Sequence, residues 1–163
     1  MRVLTPGEID LARQALGERV DYSRIRLCYG AGRNPVAALA FRNGNPAITL
    51  RRTIYYGKHL EQDYSQASPS LQSLFVHEMM HVWQYAELGL PRFLLRYGRD
   101  LAACRFRAAA MYRYEPGVTR FEEAMLEAQA QMVGEYLRAK LEGARERETA
   151  IALSLAGTGF YGL

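Results

Sequence analysis

Two of the three histidines fall in Val76-His77-Glu78-Met79-Met80-His81-Val82, an H-E-x-x-H sequence. On a helix, positions i and i+4 lie one turn apart on one face, so both imidazoles project together. Neutral imidazole nitrogens so placed can bind a zinc ion at about 2.0–2.1 Å. Glu78 lies beside that face, where it cannot easily ligate the same ion. It can instead take a proton from a water that the ion activates. The competing reading is two histidines on a core-facing helix, satisfied by carboxylates. The apolar neighbours on both sides of the motif fit a buried helix in either case.

A catalytic zinc site has three protein ligands and an open position, so a third donor is required from elsewhere. Residue type alone offers His59, Cys104, Glu87, Glu122, Glu123, Glu127 and Glu135. The glutamates after Pro116 are the densest supply, on a helix expected from about Thr119 to Leu141. Glu122 and Gln129 fall near the centre of its broad apolar face, with Phe121, Met125, Met132, Val133 and Tyr136. A second stripe runs Ala124, Glu127, Gln131, Gly134, Arg138, where small residues let another helix approach. Periodicity does not choose between Glu122 and Glu127. Tyr112, Tyr114 or His59 could donate a proton to a developing oxyanion. Gln84 and Gln131 are candidates to orient the ligands from behind, and Trp83 reads as packing.

These groups need a scaffold. Thr5-Pro6-Gly7-Glu8 carries a capping box with proline at the first helical position, so a helix starts there and runs to about Gly17. Ile25–Tyr29, Val36–Phe41 and Ala47–Tyr56 read as strands, with Asn43-Gly44 as a hairpin turn between the last two. The stretch from Ile48 to Tyr56 could present an edge to an extended peptide. Ser68-Pro69 opens the motif-bearing helix, which ends near Gly89-Leu90-Pro91. Residues 92–114 read as mostly helical and Pro116-Gly117 as a break. A charged run, Arg145 to Glu148, precedes an apolar, glycine-containing tail. Helix, small sheet, then helices is an α+β layout.

Composition narrows the classes. The chain has 163 residues, 49% hydrophobic and 23% charged, which fits one globular domain and not a disordered or collagen-like chain. The net charge is +4, with 19 of the 21 basic residues arginine. They are spread along the whole chain, so nucleic acid is not an expected partner. Cys28 and Cys104 form no C-x-x-C pattern, which leaves their redox state open. The N-terminus lacks an apolar signal region, and no uncharged run reaches the roughly 20 residues of a membrane span. The expectation is a protein soluble when made in the cytoplasm, with any export independent of a cleaved leader.

The sequence resembles the zinc-metallopeptidase effector domains at the C-termini of VgrG spike proteins and Rhs-type proteins of type VI secretion systems. The matching blocks include Leu4-Thr5-Pro6-Gly7-Glu8-Ile9, Asp21-Tyr22-Ser23-Arg24, Ile54-Tyr55-Tyr56, Asp63-Tyr64-Ser65 and Leu74 through the motif to Trp83-Gln84. Tyr112-Arg113-Tyr114, Phe121 through Glu127 to Gln129, and Glu135-Tyr136 complete them. The blocks span about residues 4 to 137, and H-E-x-x-H-V-W-Q is more specific than the zinc motif alone. The resemblance implies a zincin-like fold, with His77 and His81 as zinc ligands and Glu78 as base. It aligns the family's ligand-bearing E-Q-Q-A block with Glu127-Ala128-Gln129-Ala130, so Glu127 inherits the third place. Met80 stands where the family usually has threonine, and Ala128 where it has glutamine. The tail from about residue 149 has no counterpart, and the expectation is a chain that stands without a spike or Rhs scaffold. The implied activity is peptide-bond hydrolysis by an antibacterial effector or a stand-alone relative. Its partners would be a peptide or protein substrate, a cognate immunity protein or a secretion spike, and its site of action a target-cell periplasm. The alternative is an inactive zincin-fold module that binds a protein partner.

Overall fold

The computed structural model of the chain describes residues 1–58 and 60–163. Helix α1 spans Pro6–Leu16. Thr5 accepts from the Glu8 backbone N–H and Glu8 caps Thr5 in return, so the capping box is made. Glu8 is fully buried, and its carboxylate takes a two-pronged contact from Arg2 and a bond from the Tyr64 N–H. A buried carboxylate needs such partners.

Three strands follow: β1 (Arg26–Tyr29), β2 (Ala47–Leu50) and β3 (Thr53–Tyr56), in the order β1-β3-β2. β1 runs parallel to β3, and β2 antiparallel to it. Between β1 and β2 the chain forms helix α2 (Pro35–Arg42) where the sequence reads as a strand. Asn34 explains the difference. Its side-chain oxygen accepts from the N–H groups of Val36 and Ala37, and Pro35 sits in the first turn. That start signal, with an alanine-rich interior, outweighs the apolar run. Asn43-Gly44 therefore ends α2 and makes no hairpin. The hairpin turn is Arg51-Arg52, which splits the expected single strand 47–56 and holds Arg51 at φ 59°.

Helix α3 covers Pro69–Ala103 but is broken at Gly89, whose φ of 70° is open to glycine and costly for other residues. The break falls at the expected Gly89-Leu90-Pro91 stop, and a second helical segment resumes beyond it. Helix α4 (Leu126–Leu141) starts seven residues later than the periodicity implies. Phe121–Glu123 is a separate 3-10 turn, followed by extended Ala124 and Met125. Helix α5 (Arg145–Leu155) occupies the start of the tail.

The molecule is thus α+β, mostly helical, with one small sheet. Its core gathers α1, α3, α4, α5 and one face of the sheet. Tyr56, Tyr64 and Phe75 stack in series on one side of α3. About two turns further along α3, Trp83, Phe121 and the tail's Phe160 pack together. α3 and α4 meet closely at Gly134, where a Cβ would lie 2.7 Å from the Ser73 carbonyl oxygen. Cys28 and Cys104 are both buried free thiols.

Candidate metal centre

His77 and His81 sit on the buried side of α3, one turn apart as their spacing requires. Glu127 lies in the first turn of α4 and points back at them. The three donor atoms form a near-equilateral triangle. His77 Nε2 to His81 Nε2 is 3.2 Å, His81 Nε2 to Glu127 Oε2 3.2 Å, and His77 Nε2 to Glu127 Oε2 3.4 Å. Ligands about 2.0–2.1 Å from a tetrahedral zinc are separated by about 3.3 Å along each edge. The triangle has that edge length, so the donor set fits a tetrahedral zinc ion and would supply three of its four ligands.

Glutamines hold this triangle from behind. Gln84 Nε2 donates to the Leu126 carbonyl (3.0 Å) and to Gln129 Oε1 (3.1 Å). With the amide nitrogen committed, the oxygen faces His81 Nδ1 at 2.8 Å. In the neutral imidazole Nδ1 must then carry the proton, which leaves the Nε2 lone pair aimed at the triangle. Gln129 Nε2 in turn donates to the Phe121 carbonyl. The network ties α3 to the start of α4, where Glu127 must be placed. Among the described residues Gln131 bonds Glu135 and not a member of the triangle.

The electrostatics agree with a cation site. Burial opposes charge on His81, but the Glu127 carboxylate outweighs it and pushes the imidazole up to about 9. Burial likewise works against Glu127, and the two histidines hold it well below the usual carboxylate range. A divalent cation binding there competes with that proton.

Glu78 lies on the neighbouring face and lines the same groove as His77, a cavity of about 620 Å³. Thr49, on edge strand β2, donates to Glu78 Oε2 at 2.7 Å. The strand thereby fixes the carboxylate. Tyr112 also lines the groove and stacks on His77, with ring centroids 5.9 Å apart. Burial and the Glu127 charge raise its phenol, which stays a protonated donor. The same two causes push Tyr97 up to about 12.

Of the other sequence candidates, Gln131 and Glu135 line the same groove but lie off the triangle. Tyr114 bonds Glu135, which also accepts from Gln131 and Arg147. Glu122 is exposed beside Arg120, and Glu87 and Glu123 are exposed. Cys104 sits against Met125. His59 is outside the described residues. Met80 and Ala128 are buried among apolar side chains, so neither contributes a polar contact. Thr49 and Tyr97 carry no local signal. Thr49 is one inward residue of a short strand, and Tyr97 lies beyond the Gly89 break, so only the tertiary fold brings them here.

No family model matches the sequence. The type VI secretion system spike protein VgrG2b of Pseudomonas aeruginosa is 33% identical over 145 residues, covering 86% of this chain. The solved effector domain of that protein superimposes with a TM-score of 0.66 at 29% identity, covering 96% of this chain and 82% of that one. The chain is homologous to the VgrG2b effector domain. It shares with that domain a mostly helical α+β architecture with a small sheet. The chain spans 13% of the length of VgrG2b, so the likeness concerns one part of that protein.

Proposed function

We propose that the chain is a zinc-dependent peptidase of zincin architecture, acting as a type VI secretion effector domain. The observation that carries this is the triangle of His77 Nε2, His81 Nε2 and Glu127 Oε2, with edges of 3.2–3.4 Å, of which His77 lines the groove together with Glu78. Zinc held there would supply a Lewis acid that polarises the scissile carbonyl and makes the attacking water more acidic.

The chain's own residues do the rest. Glu78, pinned through Oε2 by Thr49, receives the proton of the attacking water and passes it to the leaving amine. Tyr112, protonated and lining the groove, is positioned to donate to an oxyanion. Gln84 keeps His81 in the tautomer that presents Nε2. Edge strand β2 borders the groove through Ala47 and leaves one side unpaired by the sheet, where an extended peptide could add. Homology to VgrG2b supports export by a type VI system, and no helix among the described residues is long and apolar enough to cross a membrane.

Glu78→Gln is the direct test, read by cleavage of a peptide library and by metal content. Cleavage should fall about 10²–10⁴-fold while bound zinc is unchanged. Undiminished cleavage in the variant would remove Glu78 as the base. Absence of cleavage by the parent protein with zinc bound would leave a binding module in its place.

A further inference from the structure

The arm formed by the second segment of α3 and the turn after it has one face tied to the body and one turned to solvent. Phe93 stacks on Tyr85, Arg96 donates to the Ala124 carbonyl, and Asp100 accepts from the Leu126 N–H. These positions recur at helical spacing and define the inner face. The outer face carries Arg92, Leu95 and Arg99 at i, i+3 and i+7, with Leu94 beside them. Leu94 is 56% exposed and Leu95 67%. The small residues Gly98, Ala102 and Ala103 are also exposed.

The turn extends the pattern. Arg105 and Phe106 both have positive φ, 52° and 60°, which is uncommon for residues of their bulk. Phe106 is 76% exposed, between the exposed Arg105 and Arg107. From residue 90 to 113 the sequence has six arginines and one carboxylate, Asp100, which is engaged inward. A cleft for a peptide or helix is not needed to explain such a face. Large exposed apolar side chains interleaved with guanidinium groups match a bilayer with anionic headgroups. The arginine stems can lie along the apolar layer while their heads reach phosphate.

We infer that residues 90–107 form a docking surface for anionic membranes, with Leu94, Leu95 and Phe106 entering the interface and Arg92, Arg99, Arg105 and Arg107 pairing with lipid phosphates. The surface is continuous with the groove, because Ala108 and Ala109 directly after it form part of the groove wall with Tyr112. Docking there brings the groove alongside the bilayer. The inference stands apart from the hydrolytic reading, since it does not involve the metal ligands.

Sedimentation of the whole chain with phosphatidylcholine vesicles, with and without about one-third phosphatidylglycerol, tests it. Binding is expected to the anionic vesicles at low salt and about tenfold less to the neutral ones, with release at high salt. Leu95→Ser with Phe106→Ser, and separately Arg99→Ser with Arg105→Ser, should each weaken binding about fivefold or more. All four positions are exposed or at the arm's end, and thermal melting checks that the variants fold. Failure of the parent chain to bind anionic vesicles overturns the inference. So does binding that survives both pairs of substitutions. Loss only with the arginine pair, with duplex DNA competing vesicles away, would make the face a nucleic-acid surface instead.

Discussion

Glu78 depends on a residue from a different element. Thr49 Oγ1 donates 2.7 Å to one carboxylate oxygen in a buried setting. Thr49→Val keeps the shape and removes the donor. Turnover should drop about 10–100-fold with zinc content unchanged, and stability should fall by about 1–3 kcal/mol. Steady-state cleavage and a denaturant melt check both; an unchanged turnover would show that the hydrogen bond does not orient the base. At this scale the sequence is legible where contacts are local. His77 and His81 are four apart, so helical periodicity alone brings them together. Glu127 is 46 residues beyond His81, and it stood out from Glu122 only through the resemblance. The structure separates the two for a simple reason. The helix begins at Leu126, so Glu122 belongs to an exposed turn while Glu127 opens α4 facing the histidines.

Gly134 governs how closely α3 and α4 meet. A Cβ there would stand 2.7 Å from the Ser73 carbonyl and 3.4 Å from His77 Cβ. Backbone cannot yield as a flexible side chain does, so Gly134→Ala must push the helices apart. We expect a loss of about 1–3 kcal/mol, read as a fall in melting temperature of about 2–4 °C for each kcal/mol. Zinc affinity should weaken with it, because His77 and Glu127 ride on the two displaced helices. A variant with wild-type melting and wild-type zinc affinity would show that this contact does not set the triangle. The course from α3 to α4 is readable because Ser68-Pro69, the Gly89-Leu90-Pro91 stop and the Pro116-Gly117 break are strong local signals, whereas α5 falls where the sequence reads only as a charged run and an apolar tail. The region from 34 to 56 is not readable in this way. Asn34-Pro35 starts a helix, and Arg51 takes a positive φ that glycine or asparagine would usually mark. Pairing of β2 with β3 and burial of Ala37 and Ala40 decide those segments, and neither is visible in a single strand's pattern.

Across the whole molecule, the core and the candidate site share the same two helices. α3 contributes Phe75, Val76, Met79 and Met80 to the core and His77 and His81 to the triangle. α4 does the same with Met132, Val133 and Glu127. The tail packs as structure: Ile151 and Leu155 are fully buried and Phe160 closes on Trp83. Such coupling means that a zinc ion bound to the triangle stabilises the native packing by mass action. The central claim is that His77, His81 and Glu127 form a zinc site, and metal counting on the purified chain tests it most directly. After equilibration with zinc and removal of excess, elemental analysis should find about one zinc per chain, and Glu127→Gln should lose most of it. Zinc well below one per chain, or a full complement in the Glu127→Gln variant, would contradict the account.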